Sequence, residues 1–224
     1  KLKLLKKNFI SIDISKKKIF RNEKNAFCLS IGQLGKCISI LKKNSCKKVL
    51  FAGRVERPNF SRIKFDFKAL YHLPKIIKET KKGDAYIINF VTKLFEKEGF
   101  KILNQTLFNP ELVLKKGHYT KVKPNEKNFK DIKIGKKLIK NIKLKGVTQG
   151  VVIVDEKVIV PESYKGTDHM LDKAKKKLRK HIFNRKRNGI LLKFPKPNQD
   201  LRTDLPTVGI KTLKKCVDIG LKGI

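Results

Sequence analysis

Hydrophobic residues in this chain come in short runs whose period keeps changing, and that alternation limits the fold more than any single motif. Residues 8–14 (NFISIDI) and 26–29 are β-rich, whereas residues 33–42 set Leu34, Cys37, Ile38 and Leu41 on one helical face. After the turn-prone Asn44 and Ser45, the run 47–53 (KKVLFAG) ends at Gly53. A strand feeding a glycine at its carboxyl end, after a helix, is the layout of an α/β layered unit, in which ligands sit at strand ends. No run approaches the ~18 apolar residues of a membrane-spanning helix, and no signal peptide precedes the first strand-like segment. A cytoplasmic chain is expected.

The pattern continues with a helix over 65–78, expected to be interrupted near Pro74. An amphipathic helix over 84–97 follows, carrying Ile87, Ile88, Val91, Leu94 and Phe95 on one side and stopping at Gly99, and then a strand over 100–103. Residues 119–128 are polar, Lys-rich and contain Pro124, so a domain boundary is placed there, giving domains at 1–122 and 123–224, both expected to be incomplete at the chain termini. The second half reads as a helix over 130–144 and a hairpin over 150–161 turning at Asp155 and Glu156. A helix from Thr167 or Asp168 to about residue 183, a strand over 189–194 and a helix over 212–218 complete it. The expected class is α/β, a layered N-terminal domain followed by a separate α/β or α+β domain.

Lys and Arg number 56 against 19 Asp and Glu, a formal net charge of +37 over 224 residues. Such a field draws polyanions, nucleic acid and anionic membrane surfaces alike. The bases are overwhelmingly Lys and lie along the whole chain, which marks a compositional bias rather than a selected patch. They do not alternate with aromatics as single-strand binders require. No specific nucleic-acid partner is expected, and a non-catalytic nucleotide- or RNA-binding protein is the alternative reading. Cys28, Cys37, Cys46 and Cys216 form no CxxC pair, so they read as small core residues in a reducing compartment.

Two polar segments carry chemistry. Residues 193–209 (KFPKPNQDLRTDLPTVG) hold Pro195, Pro197 and Pro206, which exclude helix and central strand. This stiff loop presents Lys193, Lys196, Gln199, Asp200, Arg202 and Asp204. Paired acids can hold Mg²⁺, whose shell is completed by water and substrate phosphate, and the bases can offset charge on phosphoryl oxygens. Turn capping and surface pairing with Arg202 explain the same acids more plainly. In residues 161–170 (PESYKGTDHM), Gly166 ends the approach, Thr167 can cap a helix and Asp168 falls in its first turn. Capping explains both; the functional alternative sets a phosphate on the free N–H groups with Glu162 or Asp168 facing the ion. Gln149 is a hydrogen-bonding residue or part of a turn, and Arg54 and Arg57 either grip an anion through their forks or lie solvated.

The blocks GQLGK (32–36), LFAGRVERPNF (50–60), KGD (82–84), FEKEGFKI (95–102), QGVVIVDEKVIVPESYKGTDHML (149–171) and KFPKPNQDLRTDLPTVGIKT (193–212) are together similar to the LpxI family, in order and over nearly the whole chain. The last two blocks carry most of the specificity. The resemblance implies bacterial enzymes that cleave UDP-2,3-diacylglucosamine to UMP and 2,3-diacylglucosamine 1-phosphate during lipid A synthesis, with a divalent metal, usually Mg²⁺. It implies a Rossmann-like N-terminal domain, a distinct C-terminal catalytic domain and substrate held between them. Carried onto this sequence, QDxRxDLP puts the essential, metal-linked carboxylates at Asp204, ranked first, and Asp200. The ion would activate water for attack on the α-phosphorus; Lys193, Lys196 and Arg202 would offset charge, and Thr167 with the following amides would orient the diphosphate. The family reading also implies a transient encounter with the anionic inner membrane and leaves room for a homodimer. Phe65, Phe67 and Phe90 are candidates for an acyl groove, with core packing as the simpler account. Relatives open with a Gly-rich GLIAGxGxLP turn that this sequence lacks, and their KGDDA reads KGDA here.

Overall fold

The computed structural model describes residues 2–53, 63–141, 149–163, 165–179, 189–195 and 199–224. Arg54, Arg57 and Lys196 lie outside them, as do the expected ends of the helices toward residues 144 and 183. Packing divides the chain into two units, Lys1–Leu114 with Asp200–Asp204, and Lys115–Gln199 with Leu205–Ile224. Each is a mixture of helix and strand.

In the first unit β1 (Ser11–Asp13) pairs in parallel with β2 (Ala26–Cys28), and β3 (Lys48–Leu50) pairs in parallel with β4 (Lys101–Leu103). Three helices accompany them, α1 (Leu34–Lys43), α2 (Phe67–Lys82) and α3 (Asp84–Lys97). The apolar stripes of α1 and α3 meet Phe100 and Ile102 in one buried cluster, with Ile12, Val49 and Phe51 against it. Parallel strands cannot be joined by a tight hairpin, so α2 and α3 occupy the crossover between β3 and β4.

The GQLGK block serves packing here. A side chain at Gly32 would strike the Lys64 carbonyl, and one at Gly35 would press on Asp66, so the glycines let residues 63–66 close over the start of α1. Asp66 then caps two helices: Oδ1 accepts from Ala69 N at 2.9 Å and Oδ2 from Lys36 N at 3.0 Å. An oxygen acceptor at each helix start satisfies donors that have no intrahelical partner. Pro74 does not interrupt α2, contrary to expectation. It withdraws one N–H from the Leu70 carbonyl, and both residues are exposed, on a side of the helix open to solvent.

In the second unit β5 (Gly150–Val154) is the centre of a three-stranded antiparallel sheet, flanked by β6 (Lys157–Pro161) and β7 (Ile190–Lys193). Alternation sends Val152, Val154 and Leu191 to one face, under α5 (Gly166–Arg179) and α6 (Ile210–Asp218), and Val151, Ile153, Ile190 and Leu192 to the other, under α4 (Glu126–Asn141). Helix α4 begins within the expected linker because Asn125 and Asn128 exchange side-chain and backbone bonds of 3.0 and 3.1 Å, an Asn version of the capping box. Among the cysteines, Cys216 is buried, Cys37 and Cys46 are half-buried, and Cys28 is exposed rather than part of a core. Burial pushes the thiols of Cys37 and Cys216 up to about 11. Among the described residues no helix is long and apolar enough to cross a membrane.

The β5–β6 turn places Asp155 and Glu156 at φ 47° and 65°, a left-handed pair that a two-residue hairpin demands and that Asn-Gly meets more cheaply. Asp131 of α4 compensates: it is 1% exposed and its Oδ1 accepts from Glu156 N at 2.7 Å. Burial, with Asp155 and Glu156 nearby, raises its carboxyl above the ordinary range. The folded chain therefore holds this proton longer than the unfolded chain, so the stability tied to it is lost as pH rises from the usual carboxylate range through the raised value. Asp131→Asn should flatten that decline in denaturant titrations run upward in pH from the usual carboxylate range. Asp131→Ala, which frees the turn amide, should cost about 1–3 kcal/mol in the same titrations.

Candidate active site

The antiparallel register levels Gly150 with Lys193, and Val151 with Pro161, so the start of β5 and the ends of β6 and β7 share one edge of the sheet. Two main-chain bonds extend the ladder past that edge, Glu162 N to the Gly150 carbonyl and Phe194 N to the Gln149 carbonyl, both 2.8 Å. Alternation puts Lys193 and Glu162 on the face that α5 covers. Helix α5 starts there, after Gly166 at φ 84°.

The result is a directed relay. Lys193 Nζ donates to Thr167 Oγ1 at 2.9 Å and to the Thr207 carbonyl at 3.2 Å, and Thr167 Oγ1 donates to Glu162 Oε1 at 2.7 Å. Glu162 is only 8% exposed. Gly150 makes room for it, since a Cβ at that position would lie 2.8 Å from Glu162 Oε2. A lysine beside a hydroxyl at a helix N-terminus is suited to anionic oxygen, because the charge and the free amides act on the same side. Asp168, one residue on, forms ion pairs with α6. Its carboxylate reaches Lys211 at 3.2 Å and Lys215 at 3.7 Å on α6, while Lys215 also bonds Asp172 at 2.7 Å. Gln149 enters through its carbonyl.

The Asp200–Asp204 turn is organised within the first unit. Asp200 Oδ1 accepts from Arg202 N and Arg202 Nε, both at 3.0 Å, and Oδ2 accepts from Arg202 Nη2 at 2.7 Å. This bidentate fork holds the Asp200 carboxyl below the ordinary range and the guanidinium above its own. The remaining arm of Arg202 reaches Glu96 at 2.7 Å on α3, Asn89 Oδ1 accepts from Asp200 N at 3.1 Å, and the Arg202 carbonyl accepts from Gln105 N at 2.8 Å. The Asp200 carbonyl receives both Thr203 N and Asp204 N at 3.0 Å, which sets the half-buried Asp204 one helical turn beyond Asp200. Gln199, half-buried, leads into this turn.

Sequence reasoning missed Asn89, Glu96 and Gln105. The first two had a signal: Asn89, the buried Thr92 and Glu96 stand three and four residues apart, a polar line along the helix beside its apolar stripe. Asp66 had none, because its two helix starts are far apart in sequence.

Mg²⁺ is the ion implied by the resemblance. Among the described residues no three His, Cys, Asp or Glu side chains gather as a ligand set, and both oxygens of Asp200 are engaged by Arg202. A small hard cation that keeps water and substrate phosphate in its shell needs only one or two carboxylates. The carboxylate of Asp204, held in place through its own N–H, is of the right chemistry for such a site.

Comparison with known proteins accounts for both units. Residues 6–112 match the LpxI N-terminal domain and residues 115–224 match the LpxI C-terminal domain. The UDP-2,3-diacylglucosamine pyrophosphatase LpxI of Caulobacter vibrioides is 36% identical over 198 residues, 88% of this chain and 70% of that protein. With both domains matched in order across nearly the whole chain, this chain belongs to the LpxI family.

Proposed function

We propose that this protein hydrolyses the pyrophosphate of UDP-2,3-diacylglucosamine, releasing UMP and 2,3-diacylglucosamine 1-phosphate. The observation that carries this reading is the relative's 36% identity across 88% of the chain, together with the match of residues 115–224, which hold both the relay and the Asp200–Asp204 turn, to the LpxI C-terminal domain. The parallel strand pairs and crossover helices of the first unit support a Rossmann-like assignment for it, of the kind that holds nucleotides.

In this reading Asp204 is the principal acid. Asp200 acts through Arg202: the fork fixes the backbone of the turn and thereby the position of Asp204. Lys193 and Thr167 bind and orient phosphoryl oxygen, and Glu162 sets the direction of the Thr167 hydroxyl by accepting its proton in a hydrogen bond. Because the Thr167 proton is committed to Glu162, Lys193 Nζ and the α5 amides are the donors left for substrate. Arg54, Arg57 and Lys196 are proposed to add positive charge along the diphosphate. When bound, Mg²⁺ supplies Lewis acidity toward the phosphoryl oxygens, and Asp204 is the residue proposed to hold it. We place the protein in the cytoplasm, meeting its substrate at the inner membrane.

Purified protein incubated with UDP-2,3-diacylglucosamine should release UMP only when Mg²⁺ is supplied; release of no nucleotide would favour the binding-protein alternative. Water enriched in heavy oxygen should label UMP, as attack on the α-phosphorus requires. Asp204→Asn should lower kcat by about 10²-fold or more with the melting curve unchanged. Asp200→Asn should behave differently. Its bonds to Arg202 are partly screened by solvent, so it should lose about 1 kcal/mol of stability as well as activity. Equal melting curves for the two variants would count against the positioning role.

A further inference from the structure

Helix α2 is apolar on a side that is exposed among the described residues. Positions three and four apart share a helix face, and Phe67, Leu70, Tyr71 and Pro74 follow that spacing through the first two turns. Other residues serve the inward side: Ala69 is buried, and His72, Leu73 and Ile76 are half-buried. Outward, Phe67 is 92% exposed, Tyr71 79% and Leu70 55%. On the same side, one and two turns farther along, stand the exposed Lys78 and Lys81. The helix carries five Lys (68, 75, 78, 81 and 82) against one acid, Glu79.

An aromatic and aliphatic patch that runs into a lysine cluster on one helix is the composition of a segment that lies in the plane of a membrane interface. Tyr and Phe rings suit the headgroup boundary, and lysines suit the phosphates above it. We propose that the outward face of α2 docks the first unit onto an anionic lipid bilayer, with Phe67, Leu70 and Tyr71 entering the headgroup–acyl boundary and Lys78 and Lys81 on lipid phosphates. A second copy of the chain is a poorer occupant, because pairing this face with itself would bring together two lysine-rich helices on proteins that each carry a net charge of +37. A polynucleotide would take the lysines and leave Leu70 and Pro74 in water. The proposal deepens the function above and rests on it for its purpose, since a diacylated substrate is carried in a bilayer.

The sequence contains no Trp, so Phe67→Trp installs a single fluorescent reporter without background. Vesicle experiments without substrate keep this test separate from the hydrolysis assay, whose failure would overturn the function and leave the docking result standing. With vesicles of phosphatidylglycerol and phosphatidylcholine, the Trp emission should shift to the blue and be quenched by brominated acyl chains; with phosphatidylcholine alone it should not. Triple replacement of Phe67, Leu70 and Tyr71 by Ser, all at exposed positions, should lower partitioning onto the anionic vesicles tenfold or more. Three outcomes would overturn the proposal. These are unchanged emission on vesicles that the protein binds, undiminished partitioning of the triple variant, or a dimer in sedimentation that the triple variant dissolves and anionic vesicles do not.

Discussion

Burial of β5 on both faces is the constraint on which the second unit depends. Val151, Val152 and Ile153 are wholly buried, so a slip of one residue would exchange the two apolar sets and break both helix contacts. Because the register cannot move, Gly150, Glu162 and Lys193 are held at one edge of the sheet. The Lys193–Thr167–Glu162 relay follows from that alignment and from the start of α5 beside it. Burying a carboxylate as deeply as Glu162 is costly unless it is bonded, and the Thr167 hydroxyl is one bond that offsets the cost.

The first unit solves a different problem, that of holding a short irregular turn. Five residues cannot bury a core of their own, so the Asp200–Asp204 turn relies on the Arg202 fork, on Asn89 and Glu96 of α3, and on the Gln105 amide. Asp66 makes a comparable economy by capping α1 and α2 with its two oxygens. In both places one charged side chain fixes two pieces of backbone, which suits a chain with few acids and many lysines.

Much of this was legible in the sequence. The α3 stripe, the hairpin and the α/β alternation follow from local period and turn chemistry, which act over a few residues. The misreadings share a cause. Pro74 reads locally as a break, and the helix tolerates it because the bond it removes faces water; Asn125 reads as linker until Asn128 bonds back to it. Partners too are hidden from a local reading: the ion pairs of Asp168 lie on α6, more than forty residues on. The packing of residues 200–204 with the first unit is absent from any local pattern.

By itself the sequence determined which segments are helix or strand and which blocks carry the family's chemistry, because both are written in residue types at short spacing. Only the tertiary structure decided which partner each charged side chain takes. Arg202 and Asp200 read either as a base and an acid for substrate or as a surface pair; folding makes the pair and adds Glu96 and Asn89, roughly a hundred residues away, which no local reading supplies. Charge pairing depends on distances of a few ångströms, and those distances are set by chain packing that no local spacing encodes.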